Sequence, residues 1–285
     1  MKNIPKELAM RDAKETAMEI SKLVQRLPLL DKSVEKLLSP AGTESVSRGE
    51  LLQLVKEDSG LCFELLMLAN SSCYDGMFKM PVETVEEACE QVDIEQLRML
   101  TGTAAIMESV RRSFLNRKGW QEYVMHSQSI SRSCRILAEL KGMPEHRRST
   151  FSAAGLTHDI GRVVIMIATD TRQASLMGTL PEYMEQVVKD EEEAYGLNHC
   201  VVGNDLFQRW NFSPLQQEGI LRHHTPLLGD DFSYPGAVIF VSHFISMSDF
   251  TGEIIAKMLG ERVLNLLGLS HSDLQEAKNM YDNLK

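Results

Sequence analysis

The segment with the clearest chemical potential is residues 155–162, where His158 is followed directly by Asp159. Five further histidines precede or follow this pair at separated positions. They are His126, His199, His223, His224 and His243. Neutral imidazole and carboxylate groups are good ligands for Zn, Fe, Mn, Ni or Co, and helices that are distant in sequence can bring such side chains together. One shared metal site would account for all seven side chains at once.

The alternative is that each histidine is an ordinary core or surface residue with its own hydrogen-bond partner. His126 lies four residues before Ile130, on an apolar helical stripe, so it is expected to face inward. His243 stands in an apolar segment where its ring can simply pack. Consecutive side chains on a helix diverge by about 100°, so His158 and Asp159 cannot point the same way. Asp159 can instead bridge two metals.

Several other polar residues are predicted to lie outside any such site. His146, beside two arginines, and His271, between two serines, are expected to be solvent-exposed. The acidic run 191–193 is expected to form a solvated helix face. The chain has five cysteines and no C-x-x-C pair, so we expect reduced thiols packed as small core residues rather than disulfides or a zinc ribbon. These cysteines are Cys62, Cys73, Cys89, Cys134 and Cys200.

Apolar residues repeat at intervals of three and four along nearly the whole chain, which predicts an all-α fold. Thr84 and Glu87 have the spacing of a helix capping box. The apolar run 163–168 fits a strand or a helix by pattern, and its continuity with Asp159 favours a helix. The polar stretch 116–119 is the predicted boundary between an N-terminal helical lobe, 1–115, and a second lobe, 116–285, that contains all six histidines.

Charge and hydropathy exclude some classes of function. The formal net charge is −10, which argues against nucleic-acid binding, since such binding depends on Lys and Arg neutralising phosphates. The first residues are charged where a signal peptide would be apolar, and no uncharged apolar run approaches the ~20 residues that span a bilayer. We therefore expect a cytoplasmic protein with no membrane contact.

Several motifs, in the same order, resemble the HDOD family, the HD-related output domains of bacterial signalling proteins within the HD superfamily of metal-dependent phosphohydrolases. The resemblance covers roughly residues 20 to 230. The matching segments are LLQLV at 51–55, LLMLANS at 65–71, YVMHS at 123–127, AGLTHDIG at 154–161, EAYGLNH at 193–199, VG at 202–203, Trp210 with Pro214, and HHTP at 223–226. The resemblance implies an N-terminal helical lobe packed on an HD-like helical core.

The resemblance also implies roles for the metal-binding candidates. His126 resembles the first HD ligand and His158-Asp159 the defining pair, while the additional ligands of the cyclic-dinucleotide phosphodiesterase branch resemble His199, His223 and His224.

The sequence departs from the catalytic pattern at three positions. His243 stands where an HD enzyme has its final aspartate, Arg162 where the phosphodiesterase branch has lysine, and Thr225 where that branch has glutamate. The Gly-Tyr-Pro signature is absent as well. Asp159 is then expected to be the only carboxylate of the site.

Two functions remain open on the sequence. The first is a cytoplasmic signalling or regulatory module whose partners are signalling proteins and whose metal, if present, is structural. The second is a phosphohydrolase that uses one or two divalent transition metals (Fe, Mn, Zn or Ni) on a phosphorylated small molecule or nucleotide, with Asp159 and Arg162 as catalytic residues and Arg162 steadying phosphate. A nucleotide sensor without turnover lies between them. Oligomeric state has no sequence signal.

Overall fold

The computed structural model describes residues 6–27, 47–57, 82–91, 120–169, 184–210 and 212–283, with scattered residues between 59 and 108. Within these residues the protein is built almost entirely from helices. In chain order they are α1 Lys6–Arg26, α2 Arg48–Glu57, α3 Val85–Gln91, α4 Trp120–Leu140, α5 Glu145–Thr157, α6 Ile160–Thr169, α7 Met184–Tyr195, α8 His199–Arg209, α9 Pro214–Arg222, α10 Tyr234–Ser246, α11 Gly252–Leu267 and α12 His271–Asp282.

The predicted all-α fold is confirmed, with one small addition. A two-stranded antiparallel hairpin, β1 Leu227–Leu228 and β2 Asp231–Phe232, connects α9 to α10. Two-residue strands have no alternating pattern to detect, which is why the sequence did not indicate them. The apolar run 163–168 lies within α6, as its continuity with Asp159 predicted.

The helix start at Thr84 is also confirmed. The Glu87 backbone N–H donates to Thr84 Oγ1 at 3.2 Å, and the Thr84 N–H donates to Glu87 Oε2 at 3.1 Å, which is the reciprocal pairing of a capping box. These bonds satisfy two backbone donors that the first turn of α3 would otherwise leave unpaired.

The apolar faces of the helices form three clusters of buried side chains. One joins α1 to α4, α6, α8 and α9; a second joins α4 and α5 to α10, α11 and α12; a third lies around α2 and α3 and includes Leu156 of α5. The functional candidates lie on α4, α6, α8 and α10, in the turn between α5 and α6, and directly after α9, among the helices that form the first two hydrophobic clusters. These two clusters therefore form the scaffold that positions the site.

Among the described residues, the first helix packs against helices of the C-terminal part of the chain. Ile20 and Val24 of α1 are buried against α6 and α8, in the lobe that contains the histidines. The proposed boundary segment 116–119 lies outside the described residues, so the division at 115/116 stays a prediction. Because α1 packs there, the core around the histidines contains residues from both sides of that predicted boundary.

One stretch of the described residues, Thr150–Thr169, is long and apolar enough to cross a membrane by length and composition alone. It spans α5 and α6, and 89% of its apolar window is buried inside the protein. Burial of this kind is what a core helix shows, because its apolar side chains already have protein partners. The stretch therefore gives no positive sign of membrane insertion.

Candidate metal centre

Asp159 lies at the centre of the histidine cluster. It occupies the short turn between α5 and α6, where both it and His158 are buried. Its two carboxylate oxygens face different neighbours. Oδ2 lies 3.5 Å from His126 Nε2 and 3.4 Å from His158 Nε2. Oδ1 lies 3.3 Å from His199 Nε2 and 3.5 Å from His223 Nε2.

All six histidines named by the sequence are brought together, in two groups on either side of Asp159. We call them the first cluster and the second cluster. The first cluster is His126, His158 and His243, and the second cluster is His199, His223 and His224 together with Cys200. Within each cluster the candidate ligand atoms lie within 4.8 Å of one another. A carboxylate between two such groups is in a position to bind two metals. This agrees with the sequence argument that His158 and Asp159 point in different directions.

Hydrogen bonds at Nδ1 fix the orientation of two of these rings. His158 Nδ1 lies 2.7 Å from the carbonyl oxygen of Gly155, and His223 Nδ1 lies 2.6 Å from that of Ile220. A carbonyl oxygen only accepts, so each Nδ1 carries a proton, and Nε2 is the nitrogen of each ring that is left to bind a metal. Those Nε2 atoms face Asp159. This is the tautomer and orientation that a metal-binding histidine needs.

Several buried polar atoms of the centre have no hydrogen-bond partner among the described residues. They are His158 Nε2, Asp159 Oδ1, Arg162 Nε, both ring nitrogens of His224, and His243 Nε2. Leaving one such group unpaired in the interior costs about 1–3 kcal/mol, so a concentration of them is unfavourable unless something else binds them. Lone pairs of nitrogen and oxygen converging from two sides of one carboxylate fit divalent transition metals well.

The electrostatics of the first cluster favour the metal-binding protonation states. Burial lowers the pKa of His158 to about 4 and holds the pKa of His243 well below its ordinary value. Burial acts in the opposite direction on Asp159, but Arg162 and the neighbouring histidines outweigh it and hold its pKa well below the usual range. At neutral pH these histidines are therefore neutral and the carboxylate is ionised.

The second cluster behaves differently because it contains a thiol. Burial opposes charge on His199 and His223, yet the adjacent Cys200 sulfur raises the pKa of His199 well above its ordinary value and that of His223 to about 9. Burial raises the pKa of Cys200 as well, but these two imidazolium groups outweigh it and lower the value to about 6. A metal entering this cluster must displace those protons.

Two residues of the centre were missed by the sequence reasoning. Glu191 was assigned to a solvated acidic face, and this is wrong: its side chain is buried and its Oε2 accepts hydrogen bonds from His199 Nδ1 at 2.6 Å and from the His199 backbone N–H at 2.8 Å. Glu193 is exposed, as predicted. Asp159 is therefore not the only carboxylate here, since Glu191 orients a ring of the second cluster.

The second missed residue is Cys200, which directly follows His199. It is buried, as expected for the cysteines, but its Sγ lies 3.5 Å from His199 Nε2 and 3.8 Å from His223 Nδ1. Cys89 and Cys134 are buried, Cys62 is half-buried, and Cys73 lies outside the described residues. The sequence did hold one signal for Cys200, which is that it directly follows His199, a candidate ligand, at the start of α8.

Arg162 lies in the centre, one turn after Asp159. Its Nε is 3.1 Å from Asp159 Oδ1, and its side chain is 5% exposed. Its suggested contact with phosphate stays a prediction. Outside the centre, His271 is exposed and lies 3.2 Å from Glu261, whereas the side chain of His146 lies outside the described residues.

A glycine contact sets the spacing between Asp159 and the second cluster. A Cβ atom built on Gly161 of α6 would collide with the carbonyl oxygen of His199 and would lie 2.7 Å from the backbone nitrogen of Gly203. The backbones of α6 and α8 therefore touch where they cross. This close approach places His199, the first residue of α8, beside Asp159, just before α6.

We expect Glu191→Gln to weaken metal binding at the second cluster by about 10- to 100-fold, the usual effect of losing a carboxylate behind a metal-ligating histidine. Glutamine keeps the shape but loses the charge that orients His199. Competition with a chromophoric chelator measures the affinity, and Glu193→Gln, an exposed glutamate on the same helix, is the matched control. Equal affinity in both variants would contradict this role for Glu191.

Comparisons with known proteins agree with the architecture. The HDOD domain model matches residues 27–226, and no curated protein matches the chain. An HDOD domain protein of unknown function from Geobacter sulfurreducens has a TM-score of 0.65 at 18% identity, covering 97% of this chain and 99% of its own.

Two proteins from Shewanella amazonensis are similar as well. One, provisionally named a phosphohydrolase, has a TM-score of 0.65 at 20% identity, covering 94% of this chain and 98% of its own. The other, provisionally named a metal-dependent phosphohydrolase, has a TM-score of 0.56 at 17% identity, covering 94% and 99%. At such identities the solved structures establish the fold alone. The family model, however, spans well over half of the sequence, and the chain belongs to the HDOD family.

Proposed function

We propose that this chain is a bacterial cytoplasmic signalling protein that hydrolyses a phosphoester at a centre of two divalent transition metals. The observation that supports this most directly is the position of the Asp159 carboxylate, with one oxygen toward each histidine cluster. A structural metal site is closed by protein ligands and does not require a second metal beside it. Two adjacent sites that share a carboxylate are the arrangement used to hold both oxygens of a phosphoryl transfer.

The residues present fit that role. The first cluster offers three histidines and Asp159 Oδ2, and the second cluster offers three histidines and Asp159 Oδ1. His243, which replaces the final HD aspartate, contributes a ring nitrogen in place of a carboxylate, so the departure changes the type of ligand without removing one. When bound, Fe, Mn, Zn or Ni would supply Lewis acidity toward a phosphoryl oxygen and lower the pKa of a water molecule.

The protein's own residues position this chemistry. Arg162 pairs with Asp159 and keeps the bridging carboxylate ionised in a buried environment. Glu191 holds the His199 ring with its Nε2 toward the centre. Arg162 also places a permanent positive charge beside the site, which favours binding of an anionic phosphoester.

The burial of the ligands indicates the side from which a substrate approaches. The side chains of His158, His199 and His223 have no exposed surface, whereas that of His126 is 13% exposed. The phosphoester would therefore reach the first cluster. Its class is a phosphorylated small molecule or a nucleotide, with cyclic dinucleotides as one case.

A second function, a regulatory module with structural metals and signalling-protein partners, is favoured by that same burial. Metals enclosed by the second cluster are shielded from substrate and would stabilise the folded chain by binding it and not the unfolded form. In this case chelation should lower the melting temperature while no phosphoester is hydrolysed. The two functions share the metal centre and differ only in turnover.

The experiment that tests the proposal begins with metal content, measured by elemental mass spectrometry on untagged protein purified without chelator. We expect about two transition metals per chain. The same protein, loaded with Mn or Fe, should hydrolyse a chromogenic phosphodiester or one member of a panel of nucleotides and cyclic dinucleotides. His271→Ala, which removes an exposed histidine outside the clusters, is the control and should retain both properties. Folded protein with metal but without turnover on any substrate would favour the regulatory module. Folded protein without metal would reject the two-metal phosphohydrolase and leave the regulatory module.

A further inference from the structure

The second cluster differs from the first in containing a sulfur atom among its nitrogens. Cys200 Sγ is buried and lies 3.5 Å from His199 Nε2, which in turn lies 3.2 Å from His223 Nε2. The sulfur accompanies His199, His223 and His224 in a group whose ligand atoms lie within 4.8 Å of one another. Neither the histidines nor the Asp159 carboxylate requires a thiol at this position.

Two of these separations match those between neighbouring ligands of one metal ion. Metal–sulfur and metal–nitrogen bonds of about 2.3 and 2.0 Å at the tetrahedral angle place a sulfur about 3.5 Å from a nitrogen and two nitrogens about 3.3 Å apart. The corresponding distances here are 3.5 Å and 3.2 Å. A cysteine that only filled core space would not need its sulfur at the distance of a shared ligand from His199.

We propose that Cys200 is a thiolate ligand of the metal in the second cluster, which makes this site a three-histidine, one-cysteine site next to the bridging Asp159. The inference rests on the proposed two-metal function. On binding, the protons carried by the ligand groups are released to solvent, and the sulfur donates a lone pair to the metal.

This assignment makes the two metal positions chemically unequal. Soft thiolate ligands favour zinc and other thiophilic metals, whereas carboxylate and imidazole alone also accept harder ions such as Mn. The second cluster should therefore hold zinc more tightly than the first cluster does, and Mn should bind more tightly to the first cluster than to the second. The buried position of Cys200 and the exposed edge of His126 agree with a tightly held inner metal and an exchangeable outer one.

The test uses Co(II), which reports its ligands by absorption. Metal-free full-length protein is titrated with Co(II), and the spectrum is followed in the visible region, where any bound Co(II) absorbs, and in the near ultraviolet, where sulfur-to-cobalt charge transfer absorbs. We expect both bands in the unmodified protein. Cys200→Ser should lose the ultraviolet band and keep the visible bands, while Cys134→Ser, a buried cysteine outside both clusters, should keep both.

The outcomes separate this inference from the proposed function. Visible bands with an ultraviolet band that Cys200→Ser removes support a sulfur ligand. Visible bands without the ultraviolet band, or with one that Cys200→Ser leaves intact, overturn the inference and leave the two-metal centre in place. The absence of any cobalt absorption overturns the two-metal centre itself and the inference with it.

A second measurement does not depend on the folding of a variant. X-ray absorption at the zinc edge of the unmodified, zinc-loaded protein should show a sulfur neighbour at about 2.3 Å beside the nitrogen and oxygen neighbours. Zinc surrounded by nitrogen and oxygen alone would overturn the assignment of Cys200. The expected sulfur contribution is one neighbour for every two zinc ions, because only the second cluster contains a cysteine.

Discussion

Replacing Asp159 with asparagine is expected to remove metal from both clusters and to reduce phosphoester hydrolysis to background. Asparagine keeps the shape of the side chain, but it is neutral and offers only one oxygen. The two carboxylate oxygens contact ring nitrogens of different clusters, so a single change affects both sites. Loss of a residue that hydrogen-bonds a metal ligand lowers metal affinity by about 10- to 100-fold. Loss of a ligand shared by two metals should lower it by at least about 100-fold.

The same variant should destabilise the metal-free protein. Arg162 is buried beside Asp159, and removing one partner of a buried ion pair leaves a charge uncompensated, at a cost of about 3–5 kcal/mol in the free energy of unfolding. Urea unfolding measures this. Adding Arg162→Met to Asp159→Asn removes the unpaired charge and should recover most of the stability without recovering metal. The double variant therefore separates loss of fold from loss of ligand.

A matched control lies on the surface. Asp230 and Arg262 form an ion pair at 2.7 Å with both side chains largely exposed, so Asp230→Asn should change the free energy of unfolding by no more than about 1 kcal/mol and leave metal content unchanged. Two metals and full hydrolysis in folded Asp159→Asn would contradict the bridging role. Metal bound to the double variant at unchanged affinity would do the same.

Part of this structure follows from local patterns. The stripe of Tyr123, Ile130 and Cys134 predicted one buried face of α4, and His126 lies at its edge, half-buried and facing inward as that spacing predicted. The histidines were candidates because their residue type is the commonest metal ligand. Helical periodicity and residue type can both be read from short segments of the sequence, so these features could be predicted.

The rest depends on contacts between residues distant in sequence. The division of the histidines into two clusters follows from how α4, α8, α9 and α10 pack around the turn at Asp159. Glu191 looked like one member of a solvated acidic run because its partner, His199, lies on a different helix. Ile20 and Val24 gave α1 an apolar face, but their pattern did not say which lobe it would cover. Such partners are set by tertiary packing.

Gly161 is the clearest example, because the residues next to it in sequence do not indicate that the backbone of α8 packs against it. The glycine lies two residues after Asp159, and the backbone of α8 passes directly against it. Helices that approach this closely have no room for a side chain at the crossing. The segment AGLTHDIG thus contains a glycine that helix packing requires, together with the candidate metal ligands His158 and Asp159.

Gly161→Ala is accordingly expected to lower the free energy of unfolding by about 3 kcal/mol or more, because overpacking that meets backbone cannot be relieved by turning a side chain. Its added methyl group would collide with the carbonyl oxygen of His199 and force α8 away from α6. His199 would then move from Asp159 Oδ1, which is 3.3 Å away in the native arrangement, so the second cluster should lose metal before the first does.

Gly49→Ala is the matched control for this substitution. Gly49 is exposed on α2, and a Cβ built there meets nothing within 4 Å, so alanine should leave stability unchanged or raise it by up to about 1 kcal/mol. Urea unfolding and metal content are measured on both variants. If Gly161→Ala unfolds like Gly49→Ala and binds two metals, α6 and α8 do not cross in backbone contact, and the spacing between Asp159 and His199 must be set by other contacts. If it loses only the metal of the second cluster, that helix crossing is what holds His199 within reach of the bridging carboxylate.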